Sequence, residues 1–296
     1  MPIGTDGENV SFAGSGHDKN LSSIEMPIER VMKVDIDQFG DVRRIRMTSL
    51  AGRVARVGVA VFVVDGVMID SGFHGARRTI MSAVRELDVR GVIVTHWHED
   101  HAGNVESLAR AGVPIALRAD TEDTLRHQPA IELYRRAIWR RPPALTARIT
   151  PFENHAFECL HVPGHSRDHQ VVWVPSTRTL FSGDLWLGTR VRILHADENP
   201  YEIAVSLRRA AALGPERMFD AHRGLVERPV EALERRAAWI DETTAEVERL
   251  IADGRSDSEI LKRVLGGEET AGYISARNYS RLNFVRAVRR TMSSRA

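Results

Sequence analysis

Cysteine is nearly absent from this sequence. Cys159 is the single one among 296 residues, so no intramolecular disulfide can form and a reducing, cytoplasmic setting is the expectation. Excess charge is missing too. The 41 basic and 40 acidic side chains leave a net charge of +1, which gives no global attraction for nucleic acid or a membrane surface. No apolar run approaches the roughly 18–20 residues that span a bilayer. The N-terminus has no basic segment followed by an apolar one, so no secretory signal is expected. What is present is an ordinary globular composition, 43% hydrophobic, enough for a sizeable core. The length suggests one large domain, or one with a small appendage.

Residues 1–25, rich in Gly, Ser and Asp and without periodicity, read as a flexible leader in which His17 is a bystander. Strand-like alternation starts near Val31 and repeats over 42–47. The runs 59–64 and 67–70 flank Asp65-Gly66, a strong hairpin signal. A helix is expected over 76–87, a strand over 91–94, a helix over 102–111 and a short strand over 114–117. The stretch 121–141 reads as helical up to Pro142-Pro143. Its arginines, Arg135, Arg136, Arg140 and Arg141, interleave with Tyr134 and Trp139. Such a pattern can contact phosphates and bases, but an amphipathic surface helix or a lid over a site is the preferred reading. Strands are expected at 156–162, 169–174, 179–181 and 218–220. Helices are expected at 201–213, 229–252, 257–265 and 276–292, and Ser256 to Glu259 has capping-box spacing.

The chain is organised around Thr95-His96-Trp97-His98-Glu99-Asp100-His101. Three imidazoles and two carboxylates would each need a polar partner if simply buried. Together they are the usual nitrogen and oxygen ligands of a metal ion. Three further sites share one context, the end of an apolar strand. They are His165 after Pro163-Gly164, Asp184 after Ser182-Gly183, and His222 after Asp220-Ala221. Each alone is most often structural; in this order and with the 96–101 cluster they become specific.

His96-x-His98-x-Asp100-His101, Gly164-His165, Gly183-Asp184 and His222, with Asp70-Ser71-Gly72 upstream, resemble the metallo-β-lactamase fold superfamily over roughly residues 40–225. The resemblance implies an α/β protein, a four-layer αβ/βα sandwich with the site along one edge. It implies a catalytic domain over 26–226 and a small helical C-terminal domain over 227–296. The tail looks like that of the lactamase-like group that includes endoribonucleases and polyketide thioesterases. Carried over by residue, the resemblance assigns His96, His98 and His165 to one metal and Asp100, His101 and His222 to a second. Asp184 bridges them, and Asp70 orients the ligands. Nitrogen-rich sites with carboxylates suit two Zn2+ ions, with iron or manganese as alternatives. The implied activity is that of a dinuclear hydrolase in which a metal-bridging hydroxide attacks a carbonyl or phosphoryl centre and Asp100 orients it and passes a proton.

Departures within the superfamily narrow this. Asp184 as a bridge looks like the hydrolases of esters, thioesters, lactones or phosphodiesters rather than the true β-lactamases. His98 argues against the flavodiiron oxidoreductases. The glyoxalase II-like likeness lacks the Cys-Gly-Arg segment of glutathione recognition, since Leu185 to Arg190 stands there instead. His169 reads as a supporting residue and Glu99 as a surface or supporting one. His74 either lines the site or sits on the surface. Tyr273, Arg277 and Tyr279 of the tail either reach over the site or only pack. The leading expectation is a hydrolase of a small-molecule thioester, ester or lactone. The alternatives are a metal-dependent endoribonuclease on single-stranded RNA and a metal-retaining binding or regulatory module. A membrane partner is not expected, and a homodimer is left open.

Overall fold

The computed structural model describes residues 32–190 and 193–295. The expected leader, with His17, lies outside the described residues. Strands β1 (Lys33–Phe39), β2 (Val42–Thr48), β3 (Val59–Val64) and β4 (Val67–Ile69) run antiparallel in succession, with helix α1 (Leu50–Ala55) between β2 and β3. Helix α2 (Arg77–Glu86) then crosses over to β5 (Gly91–Ile93), and α3 (Val105–Arg110) to β6 (Ile115–Ala116); both new pairings are parallel. Helices α4 (Ala119–Arg126) and α5 (Leu133–Trp139) follow. The second sheet contains β7 (Glu158–His161), β8 (Gln170–Val174) and β9 (Thr179–Phe181). After β10 (Leu194–His195) and α6 (Pro200–Ala211) it is completed by β11 (Arg217–Asp220) and β12 (Gly224–Val226). The tail is helical: α7 (Pro229–Ala252), α8 (Asp257–Leu265), α9 (Thr270–Ile274), a short β13 (Tyr279–Ser280) and α10 (Arg281–Arg295).

The strand residues explain the layering. On β3, Ala60, Phe62 and Val64 point at the other sheet, while Val59, Val61 and Val63 face the helices. On β8, Val172 and Val174 face inward and Val171 and Trp173 outward. A strand buried on both faces reads as a continuous apolar run, not an alternating one. Between the sheets Phe62 lies 5.4 Å from Phe181 and 5.3 Å from Phe219, ring centre to ring centre. Helices α2 and α3 cover one outer face, and α6 and α7 the other. The result is a four-layer αβ/βα sandwich of two mixed sheets, with α7–α10 forming a helical region beyond it. Among the described residues no helix is long and apolar enough to cross a membrane.

Strand direction positions the site. β4 and β5 are parallel, and so are β9 and β11. Their carboxyl ends therefore share an edge, which β3 joins with its first residues. There Ala60 N donates to Ala221 O at 2.8 Å.

The Asp65-Gly66 hairpin forms as expected, both residues having positive φ (49° and 69°), the requirement of a tight type I′ turn. The capping box on α8 is present, with both the Ser256 and Glu259 arms made. Three expectations need correction. The helical stretch 121–141 is two helices, because 127–132 interrupts it at Pro129, which has no N–H to donate. The helix expected over 102–111 begins only at Val105, since 99–104 forms turns. The helix expected over 276–292 begins only at Arg281. Ala276 and Arg277 are left-handed (φ 51° and 67°) and end α9, and β13 intervenes.

Glu106 on α3 ties this layer to the segment after α5. Its carboxylate accepts from Thr146 N (2.8 Å), Thr146 Oγ1 (2.8 Å), Ala147 N (3.0 Å) and Arg110 Nε (2.6 Å). Burial opposes the charge, but these donors hold the carboxyl down at about 2, below its ordinary 4.5. A depressed folded-state value stabilises the fold above the unfolded value, and that stability is lost as pH falls toward the folded one. Glu106→Gln should therefore cost about 2 kcal/mol at neutral pH. The gap to wild type in chemical denaturation should narrow as pH falls below about 4.5. A gap that stays constant on acidification would refute this.

Candidate metal centre

Asp70, at the end of β4, organises the loop that follows β5. It takes a left-handed conformation (φ 63°), which Asp tolerates better than most residues. Its Oδ1 accepts from Thr95 N at 2.7 Å, and its Oδ2 receives His101 Nδ1 at 2.8 Å. Ser71 Oγ donates to His101 O at 2.8 Å, and Asn104 Nδ2 donates to Ser71 O at 2.7 Å and Phe73 O at 3.0 Å. Gly103 allows this closure. A Cβ there would stand 2.3 Å from Glu99 O and 2.6 Å from His74 N, both backbone atoms. From the second sheet, Asp168 accepts from Trp97 N (2.9 Å), Thr121 Oγ1 (2.7 Å) and Ser166 Oγ (2.7 Å). One buried carboxylate thus joins the two strand-end loops.

The expected donors converge in two groups, His96, His98, His165 and Asp184, and beside them Asp100, His101 and His222. In the first, His96 Nε2 and His165 Nε2 lie 2.9 and 3.0 Å from His98 Nδ1. In the second, Asp100 Oδ2 lies 3.8 Å from His101 Nε2 and 3.5 Å from His222 Nε2. Asp184 stands between them. Its Oδ2 is 3.3 Å from His165 Nε2, and its Oδ1 is 3.2 Å from both His101 Nε2 and His222 Nε2. A tetrahedral ion with bonds of about 2.0–2.1 Å separates its ligand atoms by roughly 3.4 Å. The observed separations, from 2.9 to 3.8 Å, lie on either side of that spacing. His101 Nε2 and Asp184 Oδ1 are buried and form no hydrogen bond despite facing each other.

Three of the outward nitrogens are hydrogen-bonded and a fourth faces a carboxylate. His101 Nδ1 donates to Asp70, and His222 Nδ1 donates to Gly58 O at 2.8 Å. His96 Nδ1 donates to Thr95 Oγ1 at 3.0 Å, whose own proton goes to Asp70. His165 Nδ1 faces Glu198 Oε1 at 3.5 Å. An acceptor on one ring nitrogen leaves the lone pair of the other pointing at the centre.

The electrostatics agree. Burial, reinforced by neighbouring imidazoles, holds His96 and His98 well below the usual histidine value, so both are neutral. Against the same cost of burial, Asp184, Asp100 and Asp70 raise His101 well above it. Glu198 and Asp184 raise His165, and Asp184 and Asp100 raise His222 to about 9. Burial opposes the Asp184 charge too, but His101 and His222 hold its carboxyl well below the ordinary range. The carboxylates demand positive charge where the nitrogens converge. The two His/Asp clusters are consistent with a binuclear metal site.

His169 is outside both groups. Its Nε2 accepts from Asp184 N at 3.0 Å, and burial keeps the ring neutral, so it supports the backbone of the central carboxylate. His74 is half-buried at the start of a 3-10 turn and also belongs to neither group. Tyr273 is exposed, while Tyr279 packs its ring 5.0 Å from His195. Of the two options left open for Glu99, surface or supporting, burial excludes the surface one, and the arginine-rich stretch is amphipathic as expected, with Arg135 buried and Arg136, Arg140 and Arg141 exposed. Glu99 and Arg135 are both buried and form a two-pronged ion pair, Arg135 Nε to Glu99 Oε1 at 2.6 Å and Arg135 Nη2 to Glu99 Oε2. Reasoning from sequence also missed Glu198 and Asp220. Asp220 accepts from His222 N at 2.9 Å and Leu187 N at 2.9 Å, joining the loops after β9 and β11. Its acid sits at the end of a strand two residues before a histidine, a signal that was available.

Removing one partner of a buried pair strands the other charge at a cost of about 3–5 kcal/mol. Arg135→Met should destabilise the fold by about that much, and the double variant with Glu99→Met should recover most of it. A single-variant loss under about 1 kcal/mol in denaturant titration would mean that Glu99 reaches water.

Known proteins resemble the chain in two ways. In sequence, a beta-lactamase-like protein 2 homolog of Drosophila melanogaster is 31% identical over 153 residues, covering 48% of each chain. An atrochrysone carboxyl ACP thioesterase of Pseudocercospora fijiensis is 26% identical over 148 residues, 47% of this chain and 40% of that protein. The chain spans about half the length of the curated relatives it matches. In structure, a metallo-beta-lactamase family protein of Thermus thermophilus aligns with a TM-score of 0.55 at 16% identity, covering 87% of this chain and 91% of that one. The metallo beta lactamase of Hirschia baltica gives 0.53 at 19%, covering 69% and 96%. These likenesses show the fold. The family model described as the metallo-beta-lactamase superfamily matches residues 54–222. That span takes in more than half of the sequence and ends on the last of the converging histidines, so the chain belongs to the metallo-beta-lactamase superfamily.

Proposed function

We propose that this protein is a dinuclear metal hydrolase acting on the carbonyl of a small ester-type substrate, with a thioester first and an ester or lactone next. The observation that carries this reading is Asp184, whose two oxygens face the imidazoles of two different donor groups. In this reading His96, His98 and His165 hold one ion and Asp100, His101 and His222 the other, with Asp184 shared. The ions are zinc first, with iron or manganese as alternatives. Bound there, they supply Lewis acidity toward a carbonyl oxygen and lower the pKa of water.

The protein's own residues do the rest. Asp100, whose Oδ2 converges with His101 and His222, would use its other carboxylate oxygen to orient the attacking water, accept its proton and return it to the leaving group. A thiolate or alkoxide that receives this proton cannot re-attack. Asp70, Thr95 and Gly58 O fix the inward nitrogens of His101, His96 and His222. His169 fixes the backbone at Asp184. Support for a thioester comes from relatives that carry the name thioesterase. The endoribonuclease reading is weakened at its strongest point. Arg135, the first of the four arginines, is buried against Glu99 and unavailable to a phosphate, which leaves Arg136, Arg140 and Arg141 exposed, and the chain as a whole is nearly neutral.

Elemental analysis of the purified chain should find about two equivalents of transition metal. A panel of acyl thioesters, esters, lactones and single-stranded RNA should show turnover of the first class. Asp100→Asn should keep the first ion and lower kcat by about 10²–10⁴, while Asp184→Asn should release metal. Metal content near zero would sink the proposal. Two bound ions without turnover of any carbonyl substrate would favour a binding module.

A further inference from the structure

The tail beyond α7 does more than pack on the sandwich. β13 pairs antiparallel with β10, Leu194 opposite Ser280 and His195 opposite Tyr279. Directly after β10 the chain turns back, and Glu198 Oε1 accepts from His195 N at 3.0 Å. The same oxygen stands 3.5 Å from His165 Nδ1, a buried nitrogen that has no hydrogen-bond partner of its own. Glu198 itself is buried. The strand that presents it is held from the tail: Asn283 Nδ2 donates to Leu194 O at 2.9 Å, and also to Arg277 O and Asn278 O at 3.0 and 2.8 Å. Ser275 Oγ clasps the other end of β13, donating to Tyr279 O at 2.9 Å and accepting from Tyr279 N at 3.0 Å.

We infer that the C-terminal segment 275–283 is a positioning element of the metal centre, acting through β10 and Glu198 on the orientation of His165. The inference rests on the reading of His165 as a metal ligand. Neither Glu198 nor the tail belongs to the donor groups, so the action is indirect. A carboxylate on the second nitrogen of a ligating imidazole fixes its tautomer and its angle, and losing such a partner typically costs 10–100-fold in metal affinity. A second contact runs from the same segment toward the other end of the centre. Asn278 Nδ2 donates to Glu132 Oε1 at 2.9 Å and Tyr134 OH donates to Asn278 Oδ1 at 2.7 Å. The neighbouring Arg135 reaches Glu99, beside Asp100. A tail that only packed against the sheet would need no carboxylate at His165 and no link to the helix that holds Glu99.

The test is titration of the metal-free full chain with cobalt(II), read by its visible absorption spectrum and by binding affinity. Wild type should show two steps. Glu198→Gln should weaken the step that involves His165 about 10–100-fold and alter its spectrum. Asn283→Ala and the milder Ser275→Ala, whose hydrogen bonds go to no donor residue, should shift the same step in the same direction. Hydrogen exchange at 279–281 should show that β13 is loosened in each. If β13 loosens in either tail variant while both steps stay as in wild type, the inference is overturned. An unchanged step in Glu198→Gln overturns it as well. A wild-type chain that binds no cobalt fails earlier, at the assignment of His165 as a ligand, and so marks a different error.

Discussion

Everything at the sheet edge depends on one constraint: imidazoles and carboxylates removed from water must be compensated. Four of the converging histidines have their outward nitrogen facing an acceptor, at Thr95, Asp70, Glu198 and Gly58 O. Their inward nitrogens face each other and Asp184. Without a positive charge among them, lone pairs would oppose lone pairs and Asp184 would be an uncompensated buried anion. The raised values of His101, His165 and His222 show how the protein meets that demand with protons alone. A divalent ion meets it better, because it serves several donors at once where a proton serves two. The acceptors on the outward nitrogens are the cause of the inward convergence, and they come from the residue just before β3 and the turns after β4, β5 and β10.

The sandwich exists to bring those turns together. Each sheet supplies strands buried on both faces, so their ends cannot slip by one residue without moving apolar side chains out of both cores. The Phe62, Phe181 and Phe219 cluster locks one sheet against the other. That lock places His96 on the first sheet and His165 on the second within reach of one nitrogen of His98. Asp168 repeats the lock at the loops, where Trp97 N and Ser166 Oγ donate to it from opposite sheets. A cluster of donors drawn from two sheets needs this rigidity, since a shift of about 1 Å is enough to spoil such a geometry.

How much of this could be read in the sequence follows from the range of each interaction. The donors were legible because their residue types are dense within 96–101 and because His165, Asp184 and His222 each follow an apolar strand. The hairpin at Asp65-Gly66 and the capping box at Ser256 were legible because their geometry is local. The end of α9 was not, since Ala276 and Arg277 are left-handed without any glycine to announce it. The burial of Glu99, Arg135 and Glu198 was not legible, for a common reason. Each is a charged residue in a polar stretch, and only partners 36 residues away for Glu99 and 33 for Glu198 make them buried. Charge predicts exposure until a partner of opposite sign, or an imidazole that needs an acceptor, arrives from another element.

This same distinction bears on how function varies within such a fold. The central donors sit on strand ends held by the sheets, and any member with those ends can build the centre. Glu198 and the Arg135–Glu99 pair are instead held by α5 and by the tail, elements outside the two sheets. They border the centre on the side where β10 and β13 meet, with Tyr279 packed against both His195 and Arg135. A substrate that approached there would meet residues contributed by the least sheet-bound parts of the chain. On the proposed reading, reactivity would belong to the sandwich edge and discrimination to α5, the loop after Asp184 and the tail. Changes in those elements would leave undisturbed the acceptors that aim the histidines.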